Sequence, residues 1–262
     1  MDIATILGLI FSLGIVIGAM WHQTHGHLEN FYSTEGVLLV IVGAAFATMI
    51  SMPFRNFMAI FGITLKVFLF KEVRMGDAIL KLVEFAAVAR KDGLLALEGR
   101  MAEVSEPFLA KGLRMVIDGQ DHHDVETTLR LELYALGERH SIGKKVYALM
   151  GNYAPAYGLT ATIIGQVVMF QSMGGDIAAI GAGLSVALLG TLYGSLFANV
   201  ICLPFADKLG IRANQEMQLK ELYLQGIMGI AAGDSPTALK QRLLSFLDGR
   251  TATRIEETKQ AS

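Results

Sequence analysis

Apolar residues in this chain gather into four stretches free of Asp, Glu, Lys and Arg: Ile3–Met20, Gly36–Phe54, Val146–Gly175 and Ile177–Ala206. Each is long enough to cross a hydrocarbon core of about 30 Å as a helix. The third and fourth would run about 45 Å each at 1.5 Å per residue, so they should project beyond lipid. The stretches show no alternation of period two, which leaves helices as the spanning form, because lipid offers backbone groups no partners.

Between and after these stretches the pattern becomes amphipathic. Ile79, Leu82, Val83, Ala86 and Ala87 fall at helical spacing within Gly76–Lys91. Asp92-Gly93 is a turn pair that should end this helix. A second helix should run from there to about Val104, followed by helices over Glu106–Ile117 and Asp124–Val146, the last merging into the third apolar stretch. Beyond the fourth stretch, Asn214–Ala231 is again amphipathic. Ser235-Pro236 marks the entry to a short helix over Thr237–Phe246, and the polar tail after Gly249 reads as disordered.

Composition turns this pattern into a topology. Of 262 residues, 53% are hydrophobic, and the mean hydropathy is +0.47. Of the 22 Lys and Arg residues, 14 lie between Arg55 and Lys145 and 8 between Lys208 and Lys259. Such clustering between spans marks the cytoplasmic side. The expected fold class is therefore all-α: a polytopic membrane protein with four transmembrane helices, two of them long and pore-side, and a helical cytoplasmic domain. Residues 1–54 form a peripheral hairpin, 55–145 a cytoplasmic domain, 146–209 a pore hairpin and 210–262 cytoplasmic C-terminal helices, with both termini inside. Nothing basic precedes the first stretch and no cleavage site follows it, so it reads as an anchor. The net charge of −2 gives nucleic-acid binding no support. His22, His25 and His27 read as a solvated loop rather than a metal site, as does His122-His123. Cys202 has no partner for an internal disulfide.

Chemistry concentrates in the third and fourth stretches. Asp176 is the only charge between Lys145 and Asp207 and should mark the turn of a helical hairpin. Thr162 lies 14 residues before it and Thr191 lies 15 after it, so both hydroxyls should come to one depth. Pro155, Gly158, Thr162, Gln166 and Met169 form one stripe; Ala187, Thr191, Gly194 and Ala198 form the other. Small and hydroxylated stripes allow close approach. The threonines could equally bond back to their own preceding turns and serve only packing. An ion path through lipid ordinarily needs an ionisable group. This chain has none at membrane depth, so either it conducts nothing or another chain supplies the carboxylate.

Several runs carry a resemblance: AAVARKDGLLALE (Ala86–Glu98), ERHSIG (Glu138–Gly143), PAYGLTATIIG (Pro155–Gly165) and ALLGTLYGSLFANVICLPFADKL (Ala187–Leu209). Together they resemble the MotA/PomA subunit of the bacterial flagellar stator across nearly the whole chain. That resemblance implies a homopentamer in the bacterial inner membrane around a MotB/PomB-type partner, whose Asp binds the permeating ion. It implies that Arg90, Lys91 and Glu98 meet the rotor protein FliG, and that Pro155 and Pro204 couple ion movement to conformational change. It also implies that Thr191 and Thr162 line the ion path. Thr162 and the block Thr191–Gly194 look like the sodium-driven type, which makes Na+ the expected transported ion and H+ the alternative. Thr160, Ala161, Gln166 and Gly190 depart from that pattern. The expected function is conversion of ion-motive force into torque, without covalent chemistry. An ExbB/TolQ-like energiser of outer-membrane processes and a non-conducting membrane scaffold are the alternatives. The first hairpin argues against ExbB/TolQ-like chains, which typically have three spans.

Overall fold

A computed structural model describes residues 3–68, 74–174 and 177–258. These residues are helical with short connections, and no strand occurs among them. In order come α1 (Ile3–Gln23), a 3₁₀ turn (Leu28–Phe31), α2 (Thr34–Val37), a π-helical segment (Leu38–Val42), α3 (Gly43–Ile50), α4 (Phe54–Met58) and α5 (Ile60–Phe68). Then follow α6 (Met75–Asp92), a 3₁₀ stretch (Leu94–Glu103), α7 (Pro107–Ile117), α8 (His122–Gln171) and α9 (Ile177–Leu196). A second π segment (Phe197–Cys202), α10 (Leu203–Ala231), α11 (Pro236–Leu244) and α12 (Gly249–Thr258) complete the chain.

The chain forms two compact units, one of Met1–Phe70 with His140–Ile211, the other of Lys71–Arg139 with Arg212–Ser262. The first holds the apolar stretches. Ile3, Ile10, Phe11, Ile15 and Trp21 of α1 are exposed, and no residue of that helix is buried. An all-round apolar helix of this kind belongs in lipid rather than water. Among the described residues, Ile3–Gln23, Leu28–Ile50 and Ile177–Ala231 are long and apolar enough to cross a membrane. The expected third span, within α8, falls short by composition, because Asn152, Gln166 and Tyr147, Tyr153 and Tyr157 dilute it. Val40 and Ala44 of the second apolar helix pack against Ala154 and Ala198.

The second unit has the densely packed core. Leu82 and Phe85 of α6, Phe108 and Leu113 of α7, Leu129 of α8 and Leu222 and Ile227 of α10 are all essentially inaccessible. Local chemistry sets its helix ends. Glu106 accepts a hydrogen bond from the Leu109 amide at 2.8 Å, with Pro107 at the first helical position. Ser235 caps α11 in the same way through the Ala238 amide at 3.2 Å. Gly93 ends α6 with φ +87°, a conformation glycine adopts without strain.

The helix expected after Gly93 is present over Leu94–Glu103 as a 3₁₀ stretch, with Leu97 buried and Leu94 and Met101 packed against the core. One expectation is corrected: the tail from Gly249 to Thr258 is helical rather than disordered. Ala252 and Ile255 pack on the core, and Gly76 leaves room for the Ile255 side chain. A polar segment with one apolar residue per turn can still dock, and the charges around Ile255 masked that signal.

Candidate functional site

The site grows from a seam of small residues between α8 and α9. A Cβ added to Gly158 would lie 2.9 Å from the Gly190 carbonyl oxygen; at Gly165 it would lie 2.5 Å from that of Gly183. At Gly194 it would lie 2.6 Å from the Ala154 carbonyl. The backbones therefore touch, and only glycine allows it. The pairs 154/194, 158/190 and 165/183 are each equidistant from Gly174, whose φ of +103° belongs to a turn. This pivot lies two positions before the expected one at Asp176, which falls outside the described residues.

Such close approach carries the two threonines into contact. The Thr162 and Thr191 hydroxyls form a hydrogen bond across the seam. Thr162 Oγ1 also lies 2.9 Å from the Ala187 carbonyl on the opposite helix and 3.1 Å from the Gly158 carbonyl on its own. Thr191 Oγ1 is 3.5 Å from the Ala187 carbonyl. Four oxygens thus converge, served by only two hydroxyl protons. Thr191 is exposed and Thr162 half-buried, so the cluster opens outward. Thr160, by contrast, bonds only back to the Ala156 carbonyl at 3.0 Å. Gln166 is exposed and sits beside the seam; Gly165 occupies the contact position instead.

Pro155 is an interior residue of α8, where it leaves the Gly151 carbonyl without its helical donor. The Gly194 backbone passes beside it, and Gly151 faces Leu203. Pro204 is the second residue of α10, directly after the π segment. Pro204 also lines a groove of about 370 Å³ with Thr5, Gly8, Ser12, Asn199 and Lys208.

In the second unit, Arg90, Lys91 and Glu98 are exposed. None makes an ion pair among the described residues. Arg100, only ten residues on from Arg90, is committed: it pairs with Glu84 at 2.7 Å and Glu103 at 2.6 Å and lies over the Phe85 ring at 5.7 Å. Hydrogen bonding to Arg100 holds the Glu103 carboxyl below the ordinary carboxylate range.

Sequence reasoning missed a set of tyrosines. Tyr193 Oη donates to the Phe31 carbonyl at 2.5 Å and accepts from the Ser33 amide at 2.9 Å. The Tyr153 and Ser51 hydroxyls are 2.8 Å apart, and those of Tyr147 and Thr64 are 2.5 Å apart. Their partners are about 80–160 residues distant, so no short-range pattern reveals them. The available signal was the placing of phenols inside uncharged helices, where a buried hydroxyl needs a partner.

Residues 100–222 match the MotA/TolQ/ExbB proton channel family. The chain is 36% identical to the chemotaxis protein PomA of Vibrio alginolyticus, over 98% of this chain and all of PomA. It belongs to the MotA/TolQ/ExbB family. It is likewise 35% identical to motility protein A of Cereibacter sphaeroides, covering 95% and 96% of the two chains. Among solved structures, it superimposes on a chain of C. jejuni MotAB with a TM-score of 0.87 and 27% identity, covering 95% and 97%. The flagellar MotAB stator complex of Bacillus subtilis matches with the same TM-score, identity and coverage. Full-length correspondence to the motility branch of the MotA/TolQ/ExbB family covers the first hairpin as well as the α8–α9 seam.

Proposed function

We propose that this chain is a flagellar stator subunit that, with a MotB/PomB-type partner, conducts Na+ and converts the ion-motive force into torque on the rotor. The four-oxygen cluster at Thr162, Thr191, Ala187 and Gly158 carries this reading. It lies in a hairpin whose only charge is near the turn, and it opens outward through the exposed Thr191. Na+, a hard cation, is satisfied by carbonyl and hydroxyl oxygens, whereas a proton needs only a carboxylate. The missing carboxylate comes from the partner's transmembrane Asp, as the likeness to MotAB complexes suggests for this chain. The seam supports a reading of four spans: α8 lies against α9 from Ala154 to Met169, which favours a shared depth despite its lower hydropathy.

Neutralising the partner's Asp by the passing ion relieves an unpaired charge at depth, and the packing of the ring around the partner changes with it. Pro155 and Pro204 are the places where α8 and the α9–α10 continuation yield. Five copies of this chain form that ring, and Arg90, Lys91 and Glu98 push on FliG. Charges exposed and uncommitted in the resting molecule suit contacts that are made and broken repeatedly.

Swimming speed against external Na+ at fixed pH tests the ion, in a strain whose only stator is this one. Speed should rise with Na+ and saturate; a flat response would hand the path to H+. Thr191→Val tests the path itself and should abolish or severely slow swimming at normal protein levels. Full speed in that variant would remove the path from the seam.

A further inference from the structure

We propose that Tyr193 is a positioning residue for the ion path, acting by fixing the rotation of α9 about its own axis. The inference rests on the reading of Thr191 as a path residue. Successive helical residues are 100° apart, so Tyr193 points about 200° from Thr191, toward the opposite side of the helix. One face of α9 thus meets the ion and the other is pinned. The pin is two-sided: the phenol donates to the Phe31 carbonyl and accepts from the Ser33 amide, at 2.5 and 2.9 Å. Its far end is itself fixed, because Ser33 caps α2 through the Gly36 amide at 3.2 Å and is nearly buried. The ring lies against Gly36, where an added Cβ would come within 3.1 Å of it.

The same arrangement recurs on α8. Tyr153 lies nine residues before Thr162, about two and a half turns, and so faces away from the seam. Its hydroxyl reaches Ser51 at 2.8 Å. Both path helices are therefore held from behind by their own phenols, which bond to the peripheral hairpin. The seam between them is backbone against backbone, crossed by the Thr162–Ala187 hydrogen bond, and the phenols hold each helix from the opposite side.

Tyr193→Phe keeps the ring and deletes only the pin. The full stator, this chain with its partner subunit, is expressed in a stator-deleted motile strain. Speed is titrated with the ion the wild type follows, and the membrane level of the chain is measured alongside. The half-saturating ion concentration should rise about three- to tenfold while the maximal speed per stator holds. Gly36→Ala, which displaces the ring, should shift it in the same direction. Unchanged half-saturation in Tyr193→Phe, or a fall in maximal speed alone, would overturn the proposal. Should Thr191→Val swim normally, the path reading itself fails. Should Thr191→Val fail while Tyr193→Phe behaves as wild type, only the positioning role is lost.

Discussion

Thr162 has one proton and two carbonyls within reach of it, of Gly158 and Ala187, besides the Thr191 hydroxyl. A threonine that only packed would settle on its own preceding turn, as Thr160 does. Thr162 instead bridges two helices, and a cation arriving there would displace a proton-sharing arrangement already short of donors. A charged oxygen contact contributes about 1.5–3 kcal/mol. That corresponds to roughly 10- to 150-fold in half-saturation, and water filling the gap should bring the loss to the low end. Thr162→Ala is therefore expected to raise the Na+ needed for half-maximal speed by about tenfold, while Thr162→Ser, retaining the oxygen, should stay near wild type. An equal shift in both would assign the effect to packing. At this scale the sequence was informative: it singled out the two hydroxyls that meet, although the turn at Gly174 stands 12 and 17 residues from them rather than 14 and 15. It could not separate Arg90 from Arg100, because only folded geometry decides which cation is already paired.

Elements were legible where one periodicity ran unbroken. The apolar stripe of α6, its Gly93 end and the Ser235 entry to α11 follow from local chemistry that needs no distant partner. The helix expected after Gly93 is present over Leu94–Glu103, but its 3₁₀ form was not legible, since its polar hold on α6 comes from groups a sequence cannot pair. Lys81 donates to the Glu103 carbonyl, and Arg100 bridges Glu84 and Glu103. That attachment carries a pH signature. Glu103 titrates lower folded than unfolded, chiefly through its hydrogen bond from Arg100. Its contribution is therefore present above the ordinary Glu pKa of about 4.3 and is lost as pH falls through the lower folded value. Glu103→Gln should melt below wild type at pH 7, and the two melting curves should converge below about pH 4. A difference persisting at acid pH would mean the side chain acts by something other than its charge.

For the whole molecule, the confinement of Lys and Arg to two segments is the signal behind the expected topology. The division into two units reflects the same fact, since the charged segments fold around Phe85, Phe108 and Leu222 while the uncharged ones pair through glycine. The proposed rotor contact belongs to this scale. Reversing Arg90 and Glu98 together, Arg90→Glu with Glu98→Lys, should reduce torque at high load while leaving ion flux intact, because neither residue supports the core. Undiminished torque in a bead assay would place the contact elsewhere. The tyrosine pins were illegible for the reason the charges were legible: they are single contacts between remote segments, with no repetition to average over. Glycine has the same letter in α1 and in the seam, yet its meaning differs. Gly8, Gly14 and Gly18 have nothing within 4 Å of an added Cβ, whereas Gly158, Gly165, Gly183 and Gly194 have backbone there. An alanine library would thus find the outer helix permissive and the hairpin closed to change. Engineers wishing to retune this machine have their freedom on its periphery.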